Sequence, residues 1–418
     1  MSEPGRAIVA VVVIAAVAGV ILRPFRTREA VWAVAGAALL VVTGLLPIPN
    51  ALAGLAKSLD VCLFLVGMML LAETARREGL FDAVAAFAVN HAAGSPGALF
   101  ALVYGAGVVV TVFLSNDATA VVLTPAVFAA ARRARTEPLP HLFACAMVAN
   151  AASFVLPISN PANLVLYASR PPPLADWLGA FALASALSIA ATYIALRWTE
   201  RRALAGHCEP AVAQPALTRG GWAAIAGLAV AVVVLLTVSA TGQPLGAPTA
   251  IVGALVAALP LLARRASPLP LLRGISWQIL PLVAALFVMV EAVDRIGAAA
   301  AFAGILQRGV AAQPQLTAWA SGGGVALATN LANNLPVGLL ASQAAALAAA
   351  PRRLVDALMI GVDLGPNLSV TGSLATILWL TVIRREGENV TAWRFLKTGL
   401  VVMPPALILA LAARLAVP

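Results

Sequence analysis

Apolar runs recur along this chain so closely that little is left for a water-facing surface. They cover 8–22, 31–46, 61–72, 100–114, 118–131, 142–156 and 178–196, then 222–240, 249–263, 279–293, 316–331, 337–350, 354–362, 373–383 and 396–415. Between the two sets lies the longest hydrophilic stretch, 197–220, with Glu200, Arg201, Arg202 and Glu209. Of 418 residues, 61% are hydrophobic and 11% are charged. An average soluble protein has about 25% charged residues. So few charges cannot cover a soluble fold of this length, and the same composition excludes a disordered chain. At about 20 apolar residues per crossing, the chain crosses a bilayer about ten times. The runs are helical by length, because membrane strands would alternate strictly over about ten residues. The expected fold class is an all-α polytopic membrane protein.

The net charge of +10 comes from arginine, since only Lys57 and Lys397 are lysines. The arginines stand singly or in pairs at the ends of apolar runs. They read as topology signals rather than as a nucleic-acid surface. Arg23, Arg26 and Arg28 follow the first run, where a signal peptide would show a small-residue cleavage site, so that run reads as a membrane anchor. Trp32, Trp177, Trp198, Trp222, Trp277 and Trp393 lie near span ends, as an interfacial belt does. Cys62, Cys145, Cys208 and the isolated His91, His141 and His207 show no metal-ligand spacing, and no disulfide, metal or cofactor is expected. No catalytic cluster and no phosphate-binding Walker A string is present, so no enzyme is expected.

A shift of 218 residues lays Glu73 on Glu291, Arg77 on Arg295, Gly79 on Gly297, Thr111 on Thr329 and Asn116 on Asn334. A shift of 213 lays Asn150 on Asp363. The basic loops exchange sides between the halves. The first loop of the first half carries Arg23, Arg26 and Arg28, whereas its counterpart 241–248 has no basic residue. The second loop, 47–58, holds only Lys57, whereas its counterpart carries Arg264, Arg265 and Arg273. The positive-inside rule then requires two inverted repeats. They are expected at 1–198 and 220–418, joined by a cytoplasmic linker at 199–219. Each holds about five transmembrane helices, a re-entrant hairpin and a broken helix, and both termini lie outside. Arg352 and Arg353 fall on the outer side of this layout. Glu73 with Arg77, and Glu291 with Arg295, are spaced as ordinary i,i+4 helix ion pairs.

Four polar patches interrupt the apolar runs, at 114–119, 157–163, 329–336 and 363–373. Broken backbone at membrane depth is tolerated only where it is buried in protein or lines a wet cavity. Two patches per half, in an inverted repeat, are the pattern of a midplane binding site. The bland alternative is interhelical glue, since Ser, Thr and Asn hydrogen-bond across membrane helices for about 0.6–2 kcal/mol. Asp117 lies deep in its apolar stretch, where an ionised carboxylate costs several kcal/mol unless paired or wetted. It reads as a coupling carboxylate or cation ligand, or as the N-cap of a half-helix starting at Ala118. Asp363 is the second coupling candidate.

The strings SNDATAVVLTP (115–125), VLPISNPANLV (155–165), NNLP (333–336) and DLGPNLSVTGSLATILWL (363–380) resemble those of the arsenical pump membrane protein family, ArsB, in the ion transporter superfamily. The resemblance spans nearly the whole chain. It implies two inverted halves with hairpins and broken helices. It also implies efflux of arsenite and antimonite across a bacterial inner membrane by alternating access. Divalent anion:sodium symporters are similar at the first two patches, but their hairpin tips read Ser-Asn-Thr. Here the tips read Ser115-Asn116-Asp117 and Asn333-Asn334-Leu335, which tilts the reading away from a dicarboxylate. Arsenite at neutral pH is mostly an uncharged trihydroxide, which amides and hydroxyls can hold. A dicarboxylate would want arginine or lysine, and the four patches contain neither. The expected solute ligands are Ser115, Asn116, Ser159, Asn160, Asn163, Asn333, Asn334, Asn367, Thr371 and Ser373, with Asp117 and Asp363 coupling. A proton is the expected coupling ion and sodium the alternative. The family also works with a soluble ATPase partner, which this chain does not encode. The competing reading is a sodium- or proton-coupled carrier of another anion or metabolite on the same fold.

Overall fold

The computed structural model describes residues 3–22, 27–167, 171–213 and 215–416. Arg23 and Arg26, two of the topology arginines, lie outside the described residues. The described chain is helical throughout, with no strand among the described residues. The first half runs α1 (Glu3–Leu22), α2 (Glu29–Val42), α3 (Ile48–Arg77), α4 (Leu80–His91), α5 (Pro96–Phe113), α6 (Asn116–Ala118), a π turn at Thr119–Leu123, α7 (Thr124–Arg133), α8 (Pro138–Ala151), a 3-10 turn at Pro157–Ser159, α9 (Pro161–Leu166) and α10 (Leu174–Thr199). The second half runs α11 (Arg219–Ala240), α12 (Gly246–Arg264), α13 (Leu269–Gly274), α14 (Ile279–Arg295), α15 (Ala298–Ala312), α16 (Pro314–Ala332), α17 (Asn334–Leu347), α18 (Arg352–Leu364), a 3-10 turn at Gly365–Asn367, α19 (Leu374–Arg385) and α20 (Ala392–Ala416). Seven of the described helices are long and apolar enough to cross a membrane. The remaining depth is covered by shorter pieces.

Sequence sets the breaks. Gly79 and Gly297 take φ of 75° and 89°, a left-handed conformation that glycine adopts without strain, and start α4 and α15. Pro96 and Pro314 stand at the first turns of α5 and α16, where a missing N–H costs nothing. Ser115 and Asn333 end those two helices at φ of 142° and 70°. The chain then turns back on itself. Gly94, before α5, accepts from Cys208 N, and Ala134, after α7, accepts from Glu209 N, so both ends of this hairpin reach the same linker. The second hairpin, α16 and α17, returns likewise. Leu347 O, at its end, accepts from Gln307 on α15, and a Cβ at Gly309 of α15 would press on Thr317 near its start.

The two hairpins enter from opposite ends of the bundle. Arg197, near the end of α10, donates to Gly97 at the start of the first hairpin at 2.9 Å. Asp176, at the start of α10, pairs at 3.9 Å with Arg352, which follows the second hairpin. The end with Arg197 also holds the Arg264–Glu78 pair and is rich in arginine; it is called the basic end below.

Contacts between the halves recur in exchanged form. Helix α12 packs along α3, and α2 packs along α14. Small residues allow the first approach, since a Cβ at Gly67 would strike the Thr249 carbonyl, and one at Gly253 the Gly67 carbonyl. Helices α3 and α14 run antiparallel. Asn50, near the start of α3, accepts from Arg295 at the end of α14 at 3.1 Å. Helices α10 and α20 also oppose each other: Glu200, just past α10, has its carboxyl raised by burial and pulled back down by Arg394 at the start of α20. One expected ion pair is corrected. Glu73 does pair with Arg77 at 3.0 Å, and with Arg76 too. Glu291, however, pairs with Lys57 on α3. Arg295 is drawn away to Asn50, so the ion pair joins helices instead of bracing one.

Candidate functional site

The hairpin tips and the helix breaks meet in the middle of the bundle. Ser115 caps the helix that follows it by accepting from Ala118 N at 3.3 Å. That corrects the capping alternative for Asp117, which sits in the first turn beyond the cap. Asn333 caps α17 in the same way, accepting from Leu335 N at 3.3 Å. Each cap leaves the next residue, Asn116 or Asn334, facing inward at the start of its helix.

Asn116, Asn334, Asn160 and Asp117 line one small central space of about 10 Å³, with Leu65, Pro161, Leu335, Leu374 and Ala375. That is room for about one water. The Oδ1 atoms of Asn116 and Asn334 are buried there without a hydrogen-bond partner. Leaving such an oxygen unsatisfied costs about 1–3 kcal/mol. Two such oxygens at positions 218 residues apart, on one space, mark a place where a ligand or water supplies the donors. Asp117 makes no hydrogen bond or ion pair among the described residues, and no basic residue lines this space.

A larger cavity of about 240 Å³ adjoins it. Ser115, Asp117 and Pro161 form its inner limit, and Arg76, Arg385 and Glu386 stand at its mouth. Arg385 and Glu386 are exposed, so the mouth lies at the basic end. Its walls are mostly apolar, with Phe64, Leu65, Met68 and Met69 from α3 and Val121 and Val122 from the π turn. A third, smaller pocket of about 40 Å³ lies toward the opposite end, between Asp60, Asn163, Tyr167, Trp177 and the loop at Gln243 and Pro244.

The other expected site residues spend their polar atoms on the breaks. Ser159 donates to Val112 O at 3.0 Å and accepts from Leu156 N at 3.2 Å. Asn163 donates to Ser153 O and Leu156 O at 2.9 and 3.1 Å, while its Oδ1 has no partner. Asn333 also reaches Thr371 O at 3.3 Å, and Thr371 donates to Asn330 O at 3.0 Å. Asn367 donates to Met147 O at 3.0 Å and accepts from Asn150 at 2.9 Å. Ser373 caps α19 by accepting from Thr376 N and donates to Asn150 Oδ1 at 3.2 Å. Asp363 is fully buried and accepts from Ser153 Oγ at 2.7 Å and Asn160 Nδ2 at 2.9 Å. Of the expected ligands, the structure therefore brings Asn116, Asn334 and Asn160 onto the central space and Ser115 onto the larger cavity.

Sequence reasoning named Asn150 only as the repeat mate of Asp363, did not single out Asn330 and Ser369 within their patches, and passed over Ser153; all four satisfy the breaks. Asn330 bridges to Gly365 O at 3.1 Å and accepts from Ser369 at 2.7 Å. It also passed over a buried ion cluster, in which Asp356 accepts from Arg414 at 2.6 Å and from Tyr167. The signal was present, since Asp356 and Arg414 are charges inside apolar runs.

Residues 7–368 match the citrate transporter family, CitMHS. The chain belongs to that family. Among curated proteins, the arsenical pump membrane protein of Escherichia coli strain K12 is 27% identical over 406 residues, covering 90% of this chain and 91% of that protein. A second arsenical pump membrane protein from Escherichia coli is 28% identical over 356 residues, covering 80% and 81%. An uncharacterised transporter of Mycobacterium tuberculosis strain H37Rv is 25% identical over 365 residues, covering 84% of each. The resemblance drawn from the four polar strings is thus borne out. The fold is shared with the YdaH transporter of Alcanivorax borkumensis, at a TM-score of 0.58 and 16% identity over 88% of this chain and 87% of that one. As a citrate transporter family member, the chain is a multi-pass membrane carrier of a small molecule rather than an enzyme.

Proposed function

We propose that the chain exports arsenite, and antimonite, across the inner membrane of a bacterium by alternating access. The observation that carries this reading is the pair of unpartnered amide oxygens, Asn116 and Asn334, on a space that no cation lines. An uncharged trihydroxide offers O–H donors to those oxygens and needs no counter-charge. A di- or tricarboxylate would meet Asp117 there and no arginine or lysine. The arsenical pump relatives support the same solute class.

In this reading 1–198 and 220–418 are inverted repeats joined by 199–219. The antiparallel α3 and α14, the opposed hairpins and the matched positive-φ tips support it. The basic end is cytoplasmic by the positive-inside rule, so the 240 Å³ cavity is the cytoplasmic approach. Asn116, Asn334, Asn160 and Ser115 contact the solute. Ser159, Asn163, Asn333, Asn367, Thr371 and Ser373 hold the broken backbone around it. Asp117 and Asp363 couple export to protons, with sodium as the alternative coupling ion, and a soluble ATPase can serve as partner.

The citrate transporter match favours a second reading, a proton- or sodium-coupled carrier of another anion or metabolite. The deciding experiment is arsenite accumulation in a strain lacking its own exporter, with and without this protein. Lower accumulation with it upholds the first reading. Equal accumulation, together with sodium-dependent uptake of an organic anion into vesicles, replaces it with the second.

A further inference from the structure

Two hydrogen bonds tie the halves together in mirrored positions. Asn160 Nδ2 donates to Asp363 Oδ1 at 2.9 Å, and Ser373 Oγ donates to Asn150 Oδ1 at 3.2 Å. Asn160 and Ser373 are 213 residues apart, as are Asn150 and Asp363. In each bond, the residue capping the second piece of one broken helix reaches the end of the first piece of the other. One acceptor is an amide, which never ionises. The other is a carboxylate.

Asp363 also stands one residue away from two separate spaces. Toward the solute lies Asn160, which lines the central space with Asn116 and Asn334. In the other direction, Ser153 Oγ lies 2.7 Å from both Asp363 Oδ2 and Asn150 O and gives its one proton to either, and Asn163 donates to Ser153 O at 2.9 Å. Asn163 lines the 40 Å³ pocket away from the basic end, and its buried Oδ1 is unpartnered.

We propose that Asp363 is a protonatable joint that controls solute affinity through Asn160, and that its proton comes from the pocket at Asn163. The proposal rests on the carrier reading of the central space. When Asp363 is ionised, a charge-assisted bond fixes the Asn160 amide beside Asn116 and Asn334, and the solute is held. A hydronium ion from the pocket at Asn163 becomes water as Ser153 Oγ takes up its proton and passes its own to Asp363 Oδ2. The bond from Asn160 then becomes a neutral one or breaks, and charge-assisted bonds are about twice as strong as neutral ones. Asn160 loses its fixed place, and the solute leaves. Loss of the proton restores the bond. Outside acid therefore promotes release, which is the sign that export against a proton gradient requires.

One other carboxylate lies close, Asp117, which lines the central space with Asn160 and has no partner among the described residues; the remaining charges near Asp363 are engaged or remote. Asp356, on the same helix, sits seven residues earlier, about 10 Å along the axis. It holds Arg414 of α20 and Tyr167. Helix α8 contributes His141 and Cys145, and the start of α20 contributes Arg394 and Lys397. Helices α9, α16 and α17 contribute no titratable side chain.

The test uses the purified full-length protein in vesicles with arsenite as probe. In the wild type, the arsenite concentration for half-maximal exchange should rise about tenfold from about pH 8 to about pH 5.5, within the usual range of coupling. In an Asp117→Asn background, which removes the other carboxylate on the central space, Asp363→Asn should hold it at the weak value across that range. Asn150→Asp makes the mirrored bond titratable as well and should steepen the pH dependence. Infrared spectra on acidification should show a carboxylic acid band that Asp363→Asn removes and Asn160→Ala shifts, with no solute present. A pH dependence that survives in Asp363→Asn on the Asp117→Asn background, or an acid band unmoved by Asn160→Ala, overturns the joint. If the wild type exchanges no arsenite, the substrate reading fails, and the infrared result alone decides the joint. If Asp363→Asn does not fold, Asn150→Asp with unchanged steepness and an unmoved Asn160→Ala band overturns it.

Discussion

A primary amide carries one acceptor oxygen and two donor hydrogens, and a buried one needs most of them occupied. Asn367 meets that demand from the protein: its oxygen takes Asn150 and its nitrogen takes Met147 O. Asn116 and Asn334 do not, and their free oxygens share one space. That difference separates frame from ligand among residues that look alike in sequence. Removing both oxygens removes the proposed contact without removing a cap, because Ser115 and Asn333 do the capping. Asn116→Ala combined with Asn334→Ala is therefore expected to abolish arsenite extrusion while membrane insertion and yield stay normal. Extrusion assays alongside detergent-extracted yield check it, and full transport would remove the site. Asp117 has no partner among the described residues and lines both cavities. Asp117→Asn should keep arsenite binding but cut proton-driven extrusion by roughly tenfold or more, as loss of a coupling energy above about 1.4 kcal/mol does. An unchanged rate in loaded vesicles would leave Asp117 without a coupling role.

At the scale of elements, the broken helices depend on backbone approach that only glycine permits. A Cβ at Gly361 of α18 would run into the Gly322 carbonyl of α16, and one at Gly322 would meet Ala357 O at 2.8 Å. These helices hold the second hairpin against the break at Gly365–Asn367. Gly361→Ala should lower stability by about 1–3 kcal/mol, the usual cost of overpacking a tight contact. A melting curve of the purified protein checks it, and an unchanged midpoint would mean that the helices part freely. The hairpins were legible in sequence because a polar tip divides two apolar runs, 100–114 from 118–131 and 316–331 from 337–350. Helices α4 and α15 were not, although they occupy equivalent places. Both are short and carry charges, Asp82 in one and Arg308 in the other. A scan for long uncharged runs passes over such helices. The broken helices show the converse. The patch at 157–163 reads as a run of ligands, yet Ser159 and Asn163 spend their donors on Val112, Ser153 and Leu156. Sequence marks polarity at membrane depth. It does not say which amide the neighbouring backbone will claim.

Over the whole molecule, orientation follows from where charge can remain in water. Arginines crowd the end with Arg76, Arg197, Arg264 and Arg385, and Arg352 and Arg353 lie at the opposite end. The structure accounts for Arg352, because it sits 3.5 Å from Asp356 and 3.9 Å from Asp176. The positive-inside rule counts basic residues whatever their partners, and the arginines at the basic end outnumber Arg352 and Arg353, so the proposed reading keeps that end cytoplasmic. The same orientation fixes where the cavity opens. Its mouth lies beside Ser276, Arg385 and Glu386, all on the basic end, whereas the pocket at Asn163, toward the other end, holds about 40 Å³. An apolar cavity of about 570 Å³ between α15 and the second hairpin is lined by none of Asn116, Asp117 and Asn334. With the basic end cytoplasmic, as proposed above, the described conformation accepts solute from the cytoplasm, as an exporter does before it loads. Single cysteines placed in a chain lacking Cys62, Cys145 and Cys208 can test this. Thr241 and Ser267 are exposed at opposite ends. An impermeant maleimide added to intact cells should label Thr241→Cys and spare Ser267→Cys until the membrane is opened. The reverse pattern would invert the molecule and turn the 240 Å³ cavity into an outward vestibule. Ser276→Cys adds the functional half: its labelling from the cytoplasmic side should slow when arsenite is present, because solute and maleimide compete for one approach.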